Sequence, residues 1–148
     1  MLRTIVIYWT GTGNTQILAE AITKNLKVNN IDITIKNVGE LHQDFFNTDY
    51  DIYILGCPAM GIEALEEDEF RPFFEKLKPH LNNKPLALFG SYAWGWGEWM
   101  KKWIEECLNV GAILMTEALI VKSTPSAHDL KCCEDFCKNI ERMLVTYA

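Results

Sequence analysis

Three nearly continuous apolar runs of strand length, residues 4–9, 52–57 and 86–91, are separated by segments of helical spacing, and no other feature constrains the fold as much. Strands that are apolar on both faces need cover on both sides, which a parallel sheet flanked by helices supplies. The expected class is α/β: a three-layer, doubly wound, five-stranded parallel sheet. Ile31, Ile33 and Ile35 alternate with Asp32, Thr34 and Lys36, which predicts an edge strand. A fifth strand is expected around 113–121, where Ala112 to Met115 and Leu119 to Val121 flank Thr116 and Glu117.

Helical spacing places Ile17, Leu18, Ala21, Ile22 and Leu26 on one face of a helix over 14–27. It recurs at Phe70, Phe73, Phe74 and Leu77, with Pro72 near enough to the helix start to be tolerated. Trp99, Trp103, Ile104 and Leu108 form a third stripe, and Leu130, Cys133, Cys137, Ile140 and Leu144 a fourth. Ser126 to Asp129 resembles a capping box for that last helix, with Asp in place of the usual Glu. With 148 residues, 49% of them hydrophobic, and no repeat or linker, one domain over 1–148 is expected.

Fourteen Lys and Arg against twenty Asp and Glu leave a charge of −6, which argues against a nucleic-acid binder that tracks phosphates on a basic face. The longest apolar stretch, Ile52 to Ile62, is interrupted by Gly56 and Pro58, and a membrane span takes about 20 residues. Met1 to Arg3 lead straight into Ile5 to Trp9 with no signal-peptide pattern, so no export is expected. Cys57, Cys107, Cys132, Cys133 and Cys137 are odd in number and irregularly spaced, as reduced cytosolic thiols are.

The loop Thr10-Gly11-Thr12-Gly13-Asn14-Thr15 joins a buried strand to an amphipathic helix, the place where parallel α/β folds bind phosphate. Its glycines let the backbone come close, and its hydroxyls and amide add short hydrogen-bonding groups. Gln16 stands where a dinucleotide fingerprint needs its third glycine, and no Gly-Lys-Ser/Thr follows, so neither that motif nor a Walker loop fits. The plain alternative is a glycine-rich turn capped by Thr and Asn. Two further loops, Cys57 to Glu63 and Gly90 to Gly97, follow the third and fourth strands at the carboxyl edge, where ligands of such sheets sit. A Met or aromatic side chain from each would sandwich a flat ring. A planar cofactor with a phosphate tail fits all three loops.

Tyr8 to Thr15, Ala59-Met60-Gly61 followed by Glu63, and Gly90-Ser91-Tyr92 followed by Trp94-Gly95 closely resemble the flavin-binding loops of the flavodoxins, in their short-chain, clostridial form. The resemblance runs the length of the chain. It implies strand order 2-1-3-4-5 and an FMN-dependent, low-potential one-electron carrier cycling mainly between neutral semiquinone and hydroquinone. Residues 10–15 would take the phosphate, Met60 the inner flavin face and Trp94 the outer. The Gly61 carbonyl would turn toward flavin N5, Glu63 would accept from N3, and Ser91, Tyr92, Ala93, Trp94 and Gly95 would line the pyrimidine edge. Redox enzymes would dock on the acidic face near the flavin edge of a cytoplasmic monomer.

Four positions depart from the pattern. Pro58 stands where relatives often have a hydroxyl, Ile62 replaces a small or polar residue, Ala93 replaces a common glycine, and Trp96 replaces a polar residue. If Met60 to Glu63 is a four-residue turn, it needs φ > 0 at Ile62 or at Gly61, and β-branched Ile62 resists the first form.

Glu63, Glu66, Glu67, Asp68 and Glu69 make a dense acidic run. Such a run is commonly a solvated face favoured by a helix dipole. It would also steer basic partners and disfavour an anionic hydroquinone: one carboxylate about 10 Å away at a dielectric of ~40 contributes ~0.8 kcal/mol before screening. Cys132, Cys133, Cys137 and His128 lack a paired C-x-x-C and read as packing and surface groups rather than a metal site. His42 and His80 have no partner nearby in sequence. An FMN enzyme of the same fold, such as a quinone reductase, is the alternative function, and it needs room over the flavin that Trp94 would take. A phosphoacceptor domain would need acids where Thr10 and Cys57 stand, and a tyrosine phosphatase an arginine after Cys57.

Overall fold

The computed structural model describes residues 1–26 and 30–147. The apolar runs become β1 (Leu2–Tyr8), β3 (Ile52–Gly56) and β4 (Pro85–Tyr92), and the alternating run becomes β2 (Ile31–Asn37). All pairings are parallel, in the order β2-β1-β3-β4-β5, so β2 is the edge strand that its alternation predicts. The fifth position is split. β5 (Ile113–Leu114) pairs with Pro85 and Leu86, whereas β6 (Leu119–Lys122) pairs with Phe89 to Tyr92 on the same strand. Residues 115–118 leave the ladder between them, so one expected strand is two short ones.

Four helices cover the sheet: α1 (Asn14–Asn25), α2 (Phe70–Leu77), α3 (Glu98–Asn109) and α4 (Ala127–Tyr147). The expected end of the first helix at residue 27 lies outside the described residues. Alternate residues of each central strand feed opposite layers. Ile5, Ile7, Tyr53, Leu55, Leu86 and Leu88 pack with Phe70, Phe74, Trp99 and Trp103 of α2 and α3. Val6, Tyr8, Ile52, Ile54, Ala87 and Phe89 pack with Leu18, Ile22, Phe136 and Ile140 of α1 and α4.

Three residues expected on core faces lie at the surface: Ile17 at 41% exposure, Leu108 at 50% and Leu130 at 38%. In α1 the buried stripe is Thr15, Leu18, Ala19 and Ile22, which rotates Ile17 outward. In α3 the last turn buries Cys107 instead of Leu108, and Met100 joins Trp99 and Trp103 inside. The capping box of α4 forms as expected, with the Ser126 N–H donating to Asp129 Oδ2 at 2.9 Å and the Asp129 N–H to Ser126 Oγ at 3.2 Å.

Candidate functional site

The loops after β1, β3 and β4 meet at the carboxyl edge of the sheet. The first begins with the Gly13 N–H donating to Thr10 Oγ1 at 3.0 Å, and Gly13 takes φ +101°, a left-handed conformation open to glycine without strain. The first intrahelical bond of α1 runs from the Ile17 N–H to Gly13 O, so the N–H groups of Asn14, Thr15 and Gln16 precede it. No side chain caps them and no acid stands in the first turn. That end of α1 presents the donors and dipole that an anion needs. Thr15 is buried beneath it, its Oγ1 2.9 Å from Ser91 Oγ at the end of β4.

The second loop is held against β4 by the Ala59 N–H donating to Ser91 O at 3.0 Å. Pro58 is buried, and Met60 is exposed at 39%. The turn that follows closes one residue later than a four-residue turn. Met60 and Ala64 exchange both backbone bonds, at 2.7 and 3.0 Å, around the three residues 61–63. Positive φ falls at Gly61 (+55°) and Glu63 (+48°), so Ile62 is spared the conformation that its β-branch resists and stands 88% exposed. A left-handed non-glycine residue costs roughly 1–2 kcal/mol. The Glu63 carboxylate offsets this by accepting from the N–H of Glu98 at 2.9 Å and of Trp96 at 3.4 Å, since one bond to a charged group contributes about 1.5–3 kcal/mol.

Glu63 thereby ties the second loop to the third and to the start of α3. Gly95, at φ +96°, lies so close that a Cβ there would come within 2.9 Å of the Glu63 carboxylate. The other carboxylate oxygen, Oε1, is buried and has no hydrogen-bond partner. Leaving a buried acceptor unpaired costs about 1–3 kcal/mol.

Two adjoining cavities run between the loops. One of about 450 Å3 is lined by Trp9, Gly11, Thr12, Asn14, Pro58, Ala59, Met60, Ser91, Tyr92, Ala93 and Ser123. The other, of about 350 Å3, is lined by Ala59, Met60, Gly61, Glu63, Ala93 and Trp94. Met60 and the 63%-exposed Trp94 thus border one space suited to a flat ring. Thr10, Gly13, Thr15 and Gly95, although expected in the site, line neither of these cavities. Ile62 lines neither, and faces a separate recess with Glu66, Glu67 and Asp68. Trp9 and Ser123 are lining residues absent from the expected set. Trp9 could have been found as the strand-end residue before Thr10; Ser123 carried no motif, only its place after a strand.

The acidic run divides by role. Glu66 is buried and accepts from the N–H groups of Asp68, Glu69 and Phe70, each at 2.8 Å. Burial opposes its charge, but these three bonds outweigh burial and hold its pKa below the usual carboxylate range. Glu69 accepts from Trp9 Nε1 at 3.1 Å, tying α2 to the first loop. Glu67 and Asp68 remain exposed. Cys57, Cys107, Cys133 and Cys137 are buried; Cys132 is partly exposed, its Sγ 3.7 Å from His128 Nε2. Burial pushes the Cys57 thiol up, which makes it inert beside the site.

The uncapped helix start, the orphaned Glu63 oxygen and the cavity walls fit a ligand with a phosphate, a flat ring and an N–H on the ring edge. FMN has these parts. Comparison with known proteins agrees: the family profile described as Flavodoxin matches residues 6–136. The chain is 41% identical over 129 residues to a flavodoxin of Clostridium beijerinckii, covering 87% of this chain and 93% of that one. It is 37% identical over 126 residues to a flavodoxin of Megasphaera elsdenii, covering 85% and 91%. The solution structure of two-electron reduced Megasphaera elsdenii flavodoxin superposes with a TM-score of 0.76 at 36% identity, over 91% of this chain and 98% of that one. The chain therefore belongs to the flavodoxin family, the FMN-binding proteins that carry electrons and are not themselves enzymes.

Proposed function

We propose that this protein is a low-potential one-electron carrier that cycles FMN mainly between neutral semiquinone and hydroquinone. In this reading Thr10 to Thr15 hold the phosphate through N–H groups, hydroxyls and the dipole of α1, since no Lys or Arg lies in that loop. Pro58 to Glu63 and Ser91 to Gly95 hold the ring, with Met60 on its inner face and Trp94 on its outer face. The observation that carries the reading is Glu63, which lines the cavity that Met60 and Trp94 border and whose Oε1 is a buried acceptor without a partner. Flavin N3–H is the donor it suits.

The low potential follows from charge. Glu63 lines the ring cavity, Glu67 and Asp68 line the recess that shares Met60 and Gly61 with it, and Glu98 starts α3 just after the third loop; these negative groups would raise the energy of an anionic hydroquinone. The same exposed acids would attract redox enzymes with basic docking faces to the flavin edge. In the same reading the protein is a cytoplasmic monomer of one domain over 1–148, and its free cysteines favour that location. The test is a visible spectrum of the purified protein followed through stepwise dithionite reduction. Flavin bands passing through a blue neutral species establish the reading; a direct two-electron bleach, or steady NAD(P)H:quinone turnover by the isolated protein, overturns it. Sedimentation velocity reports the monomer.

A further inference from the structure

We propose that Glu69 is a positioning residue for cofactor binding: its carboxylate, hydrogen-bonded to the Trp9 indole, holds that ring against Gly11 and so sets the phosphate loop before FMN arrives. The inference rests on the FMN reading above, in which Thr10 to Thr15 take the phosphate. Glu69 lines neither of the two flavin cavities, so whatever it does for the ligand it does through another residue.

The route is short. Glu69 stands at the N-cap of α2, where its N–H donates to Glu66 Oε1 at 2.8 Å, and Phe70, Phe73 and Phe74 anchor the helix that follows in the core. A fixed piece of backbone therefore carries the carboxylate. Its Oε1 accepts from Trp9 Nε1 at 3.1 Å, across 60 residues of sequence. Trp9 follows β1, and its own N–H donates to Gly56 O at 3.0 Å, so the backbone under the indole is fixed as well and the bond to Glu69 restrains only the side chain. That ring lies over Gly11: a Cβ there would meet Trp9 Cη2 at 3.1 Å and Cζ3 at 3.2 Å. Gly11 is not left-handed, unlike Gly13, so the closeness of the ring and not the backbone angle is what asks for glycine at this position. The loop has no Lys or Arg, so it holds a dianion by N–H groups and hydroxyls that must already be in place. An indole released from Glu69 would leave Gly11 and its neighbours free to move, and ordering them again on binding lowers affinity.

Fluorescence titration of the full-length apoprotein with FMN and with riboflavin tests this, because riboflavin lacks the phosphate. Glu69 is exposed, so Glu69→Leu removes the acceptor without opening the core; the ratio of FMN affinity to riboflavin affinity is expected to fall about three- to tenfold, as for one hydrogen bond. Glu69→Gln keeps an acceptor oxygen for the indole and gives up the charge, and it is expected to keep the wild-type ratio. In a Trp9→Phe background, which has no indole N–H, Glu69→Leu is expected to change the ratio no further. A merely structural Glu69 lowers both affinities together in Glu69→Leu and leaves the ratio fixed, which overturns the proposal. A ratio that falls as far in Glu69→Gln as in Glu69→Leu, or that falls again in the Trp9→Phe background, overturns it too. If the wild type binds neither flavin, the FMN reading fails and this inference with it; if the wild type prefers FMN and Glu69→Leu prefers it equally, the Glu69 role alone fails.

Discussion

Thr15 and Ser91 share one hydrogen bond of 2.9 Å but own two hydroxyl protons, so one remains to donate toward the cavity that Ser91 lines. Thr15→Val keeps the shape of the helix start and removes the Thr15 hydroxyl that the proposed phosphate site assigns to the ligand, leaving only that of Ser91. Because a bond to a phosphate dianion is worth about 1.5–3 kcal/mol, FMN affinity is expected to fall at least tenfold while riboflavin, which has no phosphate, loses much less. Parallel titrations decide it, and equal losses would place the phosphate elsewhere. Glu63→Gln tests the other end of the ligand. A carboxylate accepts on both oxygens, toward the Glu98 and Trp96 N–H groups and toward the ring; an amide must turn its NH2 against one set of donors. FMN binding is expected to weaken at least tenfold, and the loss of one negative charge to raise the second reduction potential. A redox titration with FMN held saturating would disprove the charge argument if that potential stayed fixed. The expectation of a ring contact at Glu63 came only from the family motif. Its bonds to the start of α3 span 35 residues of sequence, a separation that no local pattern encodes.

Secondary-structure elements were legible where a periodic apolar pattern was long, and less so where a cap or a break decides the ends. The central strands and the Phe70 stripe read directly from the sequence. The rotation that exposes Ile17 depends on which residues α4 and the sheet present to α1, and the split of the fifth strand depends on how 115–118 pass β4. Glu66 shows the same limit: in sequence it is one acid in a run, in the fold it is the cap of α2. Glu66→Gln leaves one amide NH2 facing backbone donors, and a loss of about 1.5–3 kcal/mol in urea unfolding is expected. The pH dependence has a fixed sign. The folded pKa of Glu66 is depressed, so its contribution is complete above the unfolded value of about 4.3 and is lost as pH falls through the folded value below it. Wild type and Glu66→Gln should therefore differ most near neutrality and converge on acidification. A gap that stays constant from pH 7 to pH 3 would exclude the capping carboxylate as its source.

At the scale of the whole molecule, the parallel sheet and a candidate site at its carboxyl edge followed from the alternation of strand and helix patterns together with the glycine-rich first loop, whereas the strand order came from the family resemblance. Net charge acts at the same scale and is independent of the fold. The chain carries −6; Glu67 and Asp68 stand exposed on the recess that shares Met60 and Gly61 with the Met60–Trp94 cavity, and exposed Glu98 pairs with Lys101 at 3.2 Å. Two outer-sphere oxidants of opposite charge, cationic hexaammineruthenium(III) and anionic ferricyanide, read this field without a docking interface. Raising ionic strength from about 10 mM to about 150 mM shortens the Debye length from about 30 Å to about 8 Å. Oxidation of the reduced holoprotein by the cation should slow with added salt, and oxidation by the anion should quicken. For a triply charged oxidant about 10 Å from each carboxylate, Glu67→Gln with Asp68→Asn removes about 5 kcal/mol of interaction at a dielectric of ~40 before screening, a ceiling of roughly three orders of magnitude in rate at low salt. The double variant should flatten both salt slopes in stopped-flow traces while FMN affinity stays unchanged, since neither side chain borders the two flavin cavities. Identical slopes for the two oxidants would show that the acids beside the ring do not steer encounters, and unchanged slopes in the double variant would move the responsible charges away from the Glu67–Asp68 segment.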